Sequence, residues 1–268
     1  MAGPTPAEKE DPMIPSRHDF PDRLVQGLRS AARVAVITGA GISAESGIPT
    51  FRQAQTGLWE RYRPEELATP EAFLRDPRLV WEWYRWRREL VSRAEPNDGH
   101  RALAALAERI GDFALITQNV DGLHQRAGCG DVIELHGNIL RVKCFDGHHP
   151  AVSWPEDGPV PPRCSRCDSL LRPDVVWFGE ALPAGALARA VSAARACEWF
   201  FSIGTSSVVY PAAGLLETAI AAGAKTVEIN PNPTPHTENV TYRLRGPAGA
   251  ILPRLMEAAW PSGALTSG

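Results

Sequence analysis

Five short runs of β-branched or aromatic residues punctuate the chain: "RVAVI" (33–37), "FALI" (113–116), "VIEL" (132–135), "WFFSI" (199–203) and "KTVEI" (225–229). Such runs, bounded by turn residues, are the pattern of a strand. Alanine- and leucine-rich stretches near 99–110, 184–197 and 211–223 repeat with helical spacing. Strands separated by helices predict an α/β fold, a Rossmann-like parallel sheet covered by helices. Several predicted strands end in small or polar pairs: Thr38-Gly39, Thr117-Gln118, Gly204-Thr205 and Asn230-Pro231. Binding loops of such sheets lie at these carboxyl ends.

Two segments break the alternation. Residues 53–98 are helical and aromatic, an insertion after the first glycine-rich loop. Inside it, "VWEWYRWRRELV" (80–91) spaces Leu79, Trp83, Trp86 and Leu90 by four, three and four, which predicts a helix with these residues on its core face. Tyr84 and Arg87 share a flank of that helix, three residues apart, while Arg85 and Arg88 fall further round toward solvent. Residues 141–175 hold three cysteines, two histidines and six prolines with little apolar periodicity. A core that small needs a metal or close docking to fold. The predicted organisation is a loose tail (1–20), a Rossmann-like domain (21–140 and 176–260) interrupted by the helical insertion, a small cysteine module (141–175) and a short tail (261–268).

Composition narrows the function. The 268 residues suffice for one large core with a small insertion, and 44% hydrophobic with 22% charged residues is ordinary for a globular enzyme. A net charge of −3 offers no basic field for nucleic acid or an anionic membrane, so neither is expected as a direct partner. The first twenty residues are rich in proline and charge and lack an apolar core, unlike a secretory signal; a cytoplasmic location is the expectation. The uncharged window 199–216 is interrupted by Gly204, Thr205, Ser206, Ser207 and Pro211, which predicts a buried strand, a polar loop and a helix start in place of a membrane span. Five cysteines without a signal segment predict reduced thiols or metal ligands.

"VAVITGAGISAESGIPTFR" turns on Gly39-Ala40-Gly41 after a strand. The first glycine permits the tight turn, and the second lets backbone approach a pyrophosphate. No second strand ending in an acid follows about twenty residues on, which disfavours a hydride-transferring dehydrogenase. "TQNVDGLHQRAG" (117–128) then sets Gln118, Asn119 and Asp121 on a loop, and "ELHG" (134–137) puts His136 at a strand end. "VVWFGE" (175–180), "GTSSVVYPAA" (204–213) and "INPNPTP" (229–235) complete the series. In this order, from about Arg33 to Leu255, the motifs resemble the sirtuin family of NAD-dependent protein-lysine deacylases.

That resemblance implies a chemistry in which the acyl-lysine carbonyl oxygen attacks the ribose carbon of NAD as nicotinamide leaves. A histidine then activates a ribose hydroxyl, and the acyl group ends on ADP-ribose. His136 matches that histidine, and an imidazole pKa near ~6.5 suits a general base at neutral pH. Asn119 and Asp121 match the polar lining of the nicotinamide pocket, with Gln118 beside them on the cofactor side. Gly39, Ala40, Gly41, Glu45, Phe51 and Arg52 match the NAD-binding loop, Phe51 placed to shield the reactive carbon from water and Arg52 to meet phosphate. Gly204, Thr205 and Ser206 would hold the ribose-phosphate side, Asn230 and Asn232 the adenosine ribose, and Ala248 would lie near the adenine. Val176, Phe178, Gly179 and Glu180 would offer an extended edge to the acylated peptide.

Two features mark this chain within the family pattern. Most sirtuins hold a structural zinc with two C-x-x-C pairs; here Cys164-Ser165-Arg166-Cys167 is intact, but Gly147 stands where the partner of Cys144 is expected. Either Cys144, Cys164 and Cys167 bind zinc with His148, His149 or water as the fourth ligand, or the module folds without metal. Tyr84 and Arg87 match the pair of the class III subgroup, which prefers negatively charged acyl groups, and Ala68 in "ELATP" leaves room for a longer acyl chain. Removal of succinyl, malonyl and acetyl groups is therefore expected, with mono-ADP-ribosyl transfer or an idle NAD-binding scaffold as alternatives. The joint presence of His136, Asn119 and Asp121 weighs against the scaffold.

Overall fold

The computed structural model describes residues 19–49, 62–151 and 158–261, with the backbone alone at 64 and 65. In chain order the elements are α1 (Asp22–Arg29), β1 (Arg33–Thr38), α2 (Pro64–Leu67), α3 (Pro70–Arg75), α4 (Pro77–Arg93), α5 (Asp98–Arg109), β2 (Asp112–Thr117), α6 (Leu123–Arg126) and β3 (Val132–Glu134). There follow β4 (Gly137–Cys144), β5 (Leu171–Val175), α7 (Ala184–Ala196), β6 (Trp199–Ile203), α8 (Gly214–Ala221), β7 (Lys225–Asn230), β8 (Tyr242–Arg245) and α9 (Ala248–Ala259).

Six strands form one parallel sheet in the order β3-β2-β1-β6-β7-β8. The direction of winding reverses between β1 and β6, the switch point where such sheets open a crevice. Alternation along β1 sends Val34 and Val36 to one face, against Leu24, Leu28, Leu103, Leu106, Ile251 and Leu255. Ala35 and Ile37 go to the other, with Phe200, Ala190, Ala194, Leu215 and Ala219. The five expected strands are all present within a residue or two. The sixth, β8, is an edge strand with intermediate–exposed–buried–exposed burial, and its "YRLR" lacks the β-branched or aromatic run that marked the others. The folded chain also begins ahead of the expected tail boundary, because Phe20 is buried with Leu24 and Leu28. The tail residues 1–18 and 262–268 lie outside the described residues.

The helical insertion and the cysteine module share one core. Phe73, Val80, Trp81 and Trp83 pack with Ile139, Val142, Leu171, Val175 and Trp177. Close docking is thus how the module gains apolar burial. Its sheet pairs β4 with β5 antiparallel and starts at Gly137, ahead of the expected 141, and its register shifts between Asn138 and Val142. That irregularity erases the period-two pattern a sequence would show.

Helix α4 begins at Pro77, with the Asp76 carboxylate accepting from the Leu79 N–H. Its buried residues are Val80, Trp81, Trp83, Tyr84 and Val91. Leu79, Trp86 and Leu90, expected on the core face, are only half-buried. The helix is packed against both α3 and β4, so Trp81 and Trp83, on nearly opposite sides, are both covered. Arg85 is exposed as expected, whereas Arg88 is half-buried.

At the switch point the turns after β1 and β6 meet backbone to backbone. The Gly39 N–H donates to Ile203 O (3.0 Å) and the Gly41 N–H to Gly204 O (2.8 Å). A Cβ on Gly41 would lie 2.7 Å from Gly204 Cα, and one on Gly204, whose φ is +59°, would lie 2.5 Å from Ile42 N. The second glycine is therefore needed by this contact within the fold. Gly204→Ala is expected to cost about 1–3 kcal/mol from the left-handed backbone alone, read as a lower midpoint of urea unfolding at unchanged slope. An unaltered midpoint would show that the two turns part freely.

Candidate active site

The loop after β2 is held by hydrogen bonds from every side. The Gln118 N–H donates to Thr38 O (3.0 Å) and its Nε2 to Thr205 Oγ1 (2.9 Å). Asn119, buried, donates from Nδ2 to Gly39 O and to Ser43 Oγ, both at 3.1 Å, and from its backbone to Thr117 Oγ1 at 3.0 Å. Asp121 accepts from Ser43 Oγ (2.7 Å) and from the Leu123 N–H (2.9 Å). Burial raises the Asp121 carboxyl above the ordinary aspartate value, although those two donors pull it back.

His136 follows β3, its Nδ1 2.8 Å from Gln118 O. A carbonyl can only accept, so Nδ1 carries the proton and Nε2 is left with a free lone pair. Burial holds the imidazole below its ordinary pKa, partly offset by that hydrogen bond. The ring is consequently neutral and basic at Nε2 near neutrality.

The remaining cofactor-side residues occupy neighbouring loops. Ala40 and Gly41 lie in a short 3₁₀ turn. The Glu45 carboxylate accepts from the Gly249 N–H (2.7 Å), anchoring the first turn of α9 beside buried Ala248. Thr205 is buried and its carbonyl accepts from Asn230 Nδ2 (2.8 Å), whereas Ser206 and Asn232 are exposed. The loop bearing Asn232 is folded back by Thr234 and Thr237, whose hydroxyls both donate to buried Glu228. Phe51 and Arg52 lie outside the described residues.

Sequence reasoning missed a layer beneath this site. His124 Nε2 lies 2.9 Å from Thr38 Oγ1, and Thr38 Oγ1 lies 2.8 Å from Thr117 Oγ1. His100 Nε2 is 3.4 Å from Ser43 Oγ, and the two imidazoles stack obliquely with centroids 4.9 Å apart. Burial pushes the pKa down to about 4 for His100 and about 3 for His124, so both are neutral. Only His100 left a local trace: it closes a capping box with Asn97 at the start of α5.

On the other side of the β3–β4 corner, Tyr84, Arg87, Ala68 and the 175–180 segment come together. Trp177 Nε1 donates to the Tyr84 phenol oxygen at 3.0 Å, and burial pushes the phenol's pKa up to about 12. The Arg87 guanidinium lies 4.9 Å over the Trp83 ring and 5.8 Å over that of Tyr84. After β5 the chain leaves strand geometry. The Val176 N–H donates to His136 O, and the Phe178 N–H to Ala68 O, both at 2.9 Å. Phe178 and Gly179 are exposed. Glu180 grips the segment from within, accepting from the Trp177 N–H (2.7 Å) and from both terminal nitrogens of fully buried Arg172 (2.5 and 2.9 Å). Burial alone would raise the Glu180 carboxyl, but Arg172 holds it below the usual range.

Cys144, His149, Cys164 and Cys167 converge, their ligand atoms all within 4.8 Å of one another. A tetrahedral zinc with sulfur ligands near ~2.3 Å sets its donors about 3.8 Å apart, so three thiols and an imidazole fit it. His149 is the histidine that joins, with Nε2 3.1 Å from Cys164 Sγ. Such a metal would tie the end of β4 to the 164–167 turn. Cys129 and Cys197 are both buried, and burial pushes each thiol up to about 11.

Residues 39–211 match the model of the Sir2 family. A relative from Aquifex aeolicus (strain VF5) named NAD-dependent protein deacylase is 51% identical over 225 residues, covering 84% of this chain and 94% of the relative. A solved Sir2 homologue in complex with NAD aligns with a TM-score of 0.84 at 47% identity, over 90% of this chain and 94% of that one. A Sir2 structure with a deacetylated p53 peptide and 3'-O-acetyl ADP ribose aligns with a TM-score of 0.76 at 35% identity, over 88% and 96%.

Two outcomes follow from the buried groups. His100 and His124 are neutral when folded but titrate near ~6.5 when unfolded. Their stabilisation is complete above that pH and is lost as pH falls toward about 4 and about 3; the raised carboxyl of Asp121 opposes this at the acid end. Urea midpoints should drop between pH 6.5 and 5, and less so in His124→Asn; a midpoint that rises on acidification would contradict the neutral assignment. For the cysteine cluster, purified protein is expected to carry about one zinc per chain. His149→Ala should lower that stoichiometry and the melting temperature together. Wild-type protein free of zinc, with a normal melt, would mean that packing alone folds the module.

Proposed function

The chain belongs to the Sir2 family and is an NAD-dependent protein deacylase, and on that premise we propose that it removes succinyl and malonyl as well as acetyl groups from protein lysines. The products on this reading are the free lysine, nicotinamide and O-acyl-ADP-ribose, the last supported by the acetyl ADP ribose named with a similar Sir2 structure. Bound NAD supplies the electrophilic ribose carbon. Asn119 and Asp121 are held on a loop with little freedom to shift, which suits the orientation of a polar ring beside them. His136 Nε2 is the base that takes a proton from a ribose hydroxyl, while the Gln118 carbonyl keeps the proton on Nδ1 and steadies the imidazolium formed. The backbone of Val176–Glu180 is the edge for the substrate peptide, with Glu180 as its internal strut and exposed Phe178 as its outer face.

The observation that carries the acyl preference is the placing of half-buried Arg87 over the buried Tyr84 ring. A guanidinium partly withdrawn from bulk water attracts a carboxylate more strongly than an exposed one and can clasp it with two parallel hydrogen bonds. Its lowered pKa, caused by burial, reports that desolvation. The phenol remains protonated throughout the working range and is therefore a donor, not a competing anion. Ala68, small and buried nearby, gives a longer chain room.

The test compares kcat/KM for succinyl- and acetyl-lysine forms of one peptide at saturating NAD. The wild-type ratio is expected to be at least one. Arg87→Met should lower it on the order of 10–100-fold, the worth of one or two hydrogen bonds to a charged group. Equal losses on both substrates would mean that Arg87 serves only the fold.

A further inference from the structure

Trp177 was not among the residues singled out for substrate contact, yet it is the most constrained side chain of the 175–180 segment. It is 1% exposed, its ring lies 3.2 Å beneath the Arg172 guanidinium, and Phe73 packs on it with centroids 5.3 Å apart. Glu180 takes its backbone N–H while gripping Arg172. The indole is thus fixed from three directions before its one polar group is considered. That group can only donate, and it donates to the Tyr84 oxygen.

The consequence falls on Tyr84. Conjugation keeps a phenol O–H in the plane of its ring, with one in-plane direction for the proton and the other for an incoming donor. With Trp177 on the accepting side, the hydroxyl proton must take the other direction, and among the described residues it meets no acceptor. We propose that Trp177 is a positioning residue for acyl specificity: its indole N–H occupies the accepting side of the Tyr84 phenol and so commits the phenol proton to an acyl carboxylate held by Arg87. The inference rests on the charged-acyl reading of Tyr84 and Arg87 and adds to it the residue that sets the phenol's polarity. Without the indole donor the phenol can turn its proton inward, and it then presents lone pairs to an anion.

The experiment measures the succinyl-to-acetyl ratio of kcat/KM in wild type, Trp177→Phe, Tyr84→Phe, the double variant and Arg87→Met. Trp177→Phe keeps an aromatic ring between Arg172 and Phe73 and removes the N–H. The ratio is expected to fall about tenfold, as for one lost hydrogen bond to a charged group, through the KM for succinyl-lysine and not through kcat. In the double variant it should fall no further than in Tyr84→Phe, because Trp177 acts through the phenol. A ratio unchanged by Trp177→Phe while Tyr84→Phe and Arg87→Met lower it, or losses that simply add in the double variant, would overturn the inference and leave the charged-acyl reading standing. A ratio unchanged in all four variants would overturn both. Should Trp177→Phe lose its cooperative melt, 3-benzothienyl-alanine placed at position 177 by suppression keeps the shape, lacks only the N–H, and carries the same expectations.

Discussion

The contact on which the site depends is the one between two bare backbones, Gly39–Gly41 after β1 and Gly204 after β6. No side chain fits between them, so the two loops at the switch point behave as a single piece. Everything around them is tied to that piece. Asn119 reaches Gly39 O, Gln118 reaches Thr205, and Asn230 reaches the Thr205 carbonyl. The ends of β1, β2, β6 and β7 are thereby cross-linked at their carboxyl edge, where a parallel sheet would otherwise leave four independent loops. A cofactor bound there meets a preformed surface, and less of its binding energy goes into ordering the protein.

The polar layer beneath that surface follows a consistent electrostatic logic. Thr38, Ser43, His100, Thr117, Asn119, Asp121 and His124 are all buried, and a buried charge without a partner is expensive. Burial drives both histidines to the neutral form and lifts the Asp121 carboxyl toward it. The hydroxyls join these groups into chains of donor and acceptor, Asn119 to Ser43 to Asp121 on one side and His124, Thr38 and Thr117 on the other. His136 stands above this layer with Nδ1 engaged on the Gln118 carbonyl, so its Nε2 keeps the lone pair that chemistry needs.

What the sequence made legible has a physical reason. Runs of β-branched and aromatic residues mark β1, β2, β3, β6 and β7, so these strands could be read, and their ends located the site. Edge strand β8 and bulged β4 write no such run. The face of α4 was misread because a helix covered on two sides does not confine its apolar residues to one stripe. The pairing of His100 with Ser43 and of His124 with Thr38 was invisible because those partners stand 57 and 86 positions away. Spacing could not choose between His148 and His149 either. The difference is backbone geometry, since His148 sits at φ +50° in the turn while His149, the next residue, carries Nε2 to Cys164.

The two interruptions of the sheet also turn out to be one object. Cys144 and Cys164 belong to the same apolar cluster as Trp81, Trp83, Tyr84 and Trp177. Phe145, next in the chain to Cys144, stacks on Phe73 at 5.0 Å, and Phe73 stacks on Trp177. Close-packed interiors transmit displacement, so the position of the cysteine cluster and the setting of Trp177 and Tyr84 cannot be adjusted independently. Substituting His149 for a fourth thiol changes the donor atom at one corner of that cluster. Phe145 reaches the Trp177 ring both through Phe73 and directly at 6.4 Å, so a shift of the cluster is carried to the indole that donates to Tyr84.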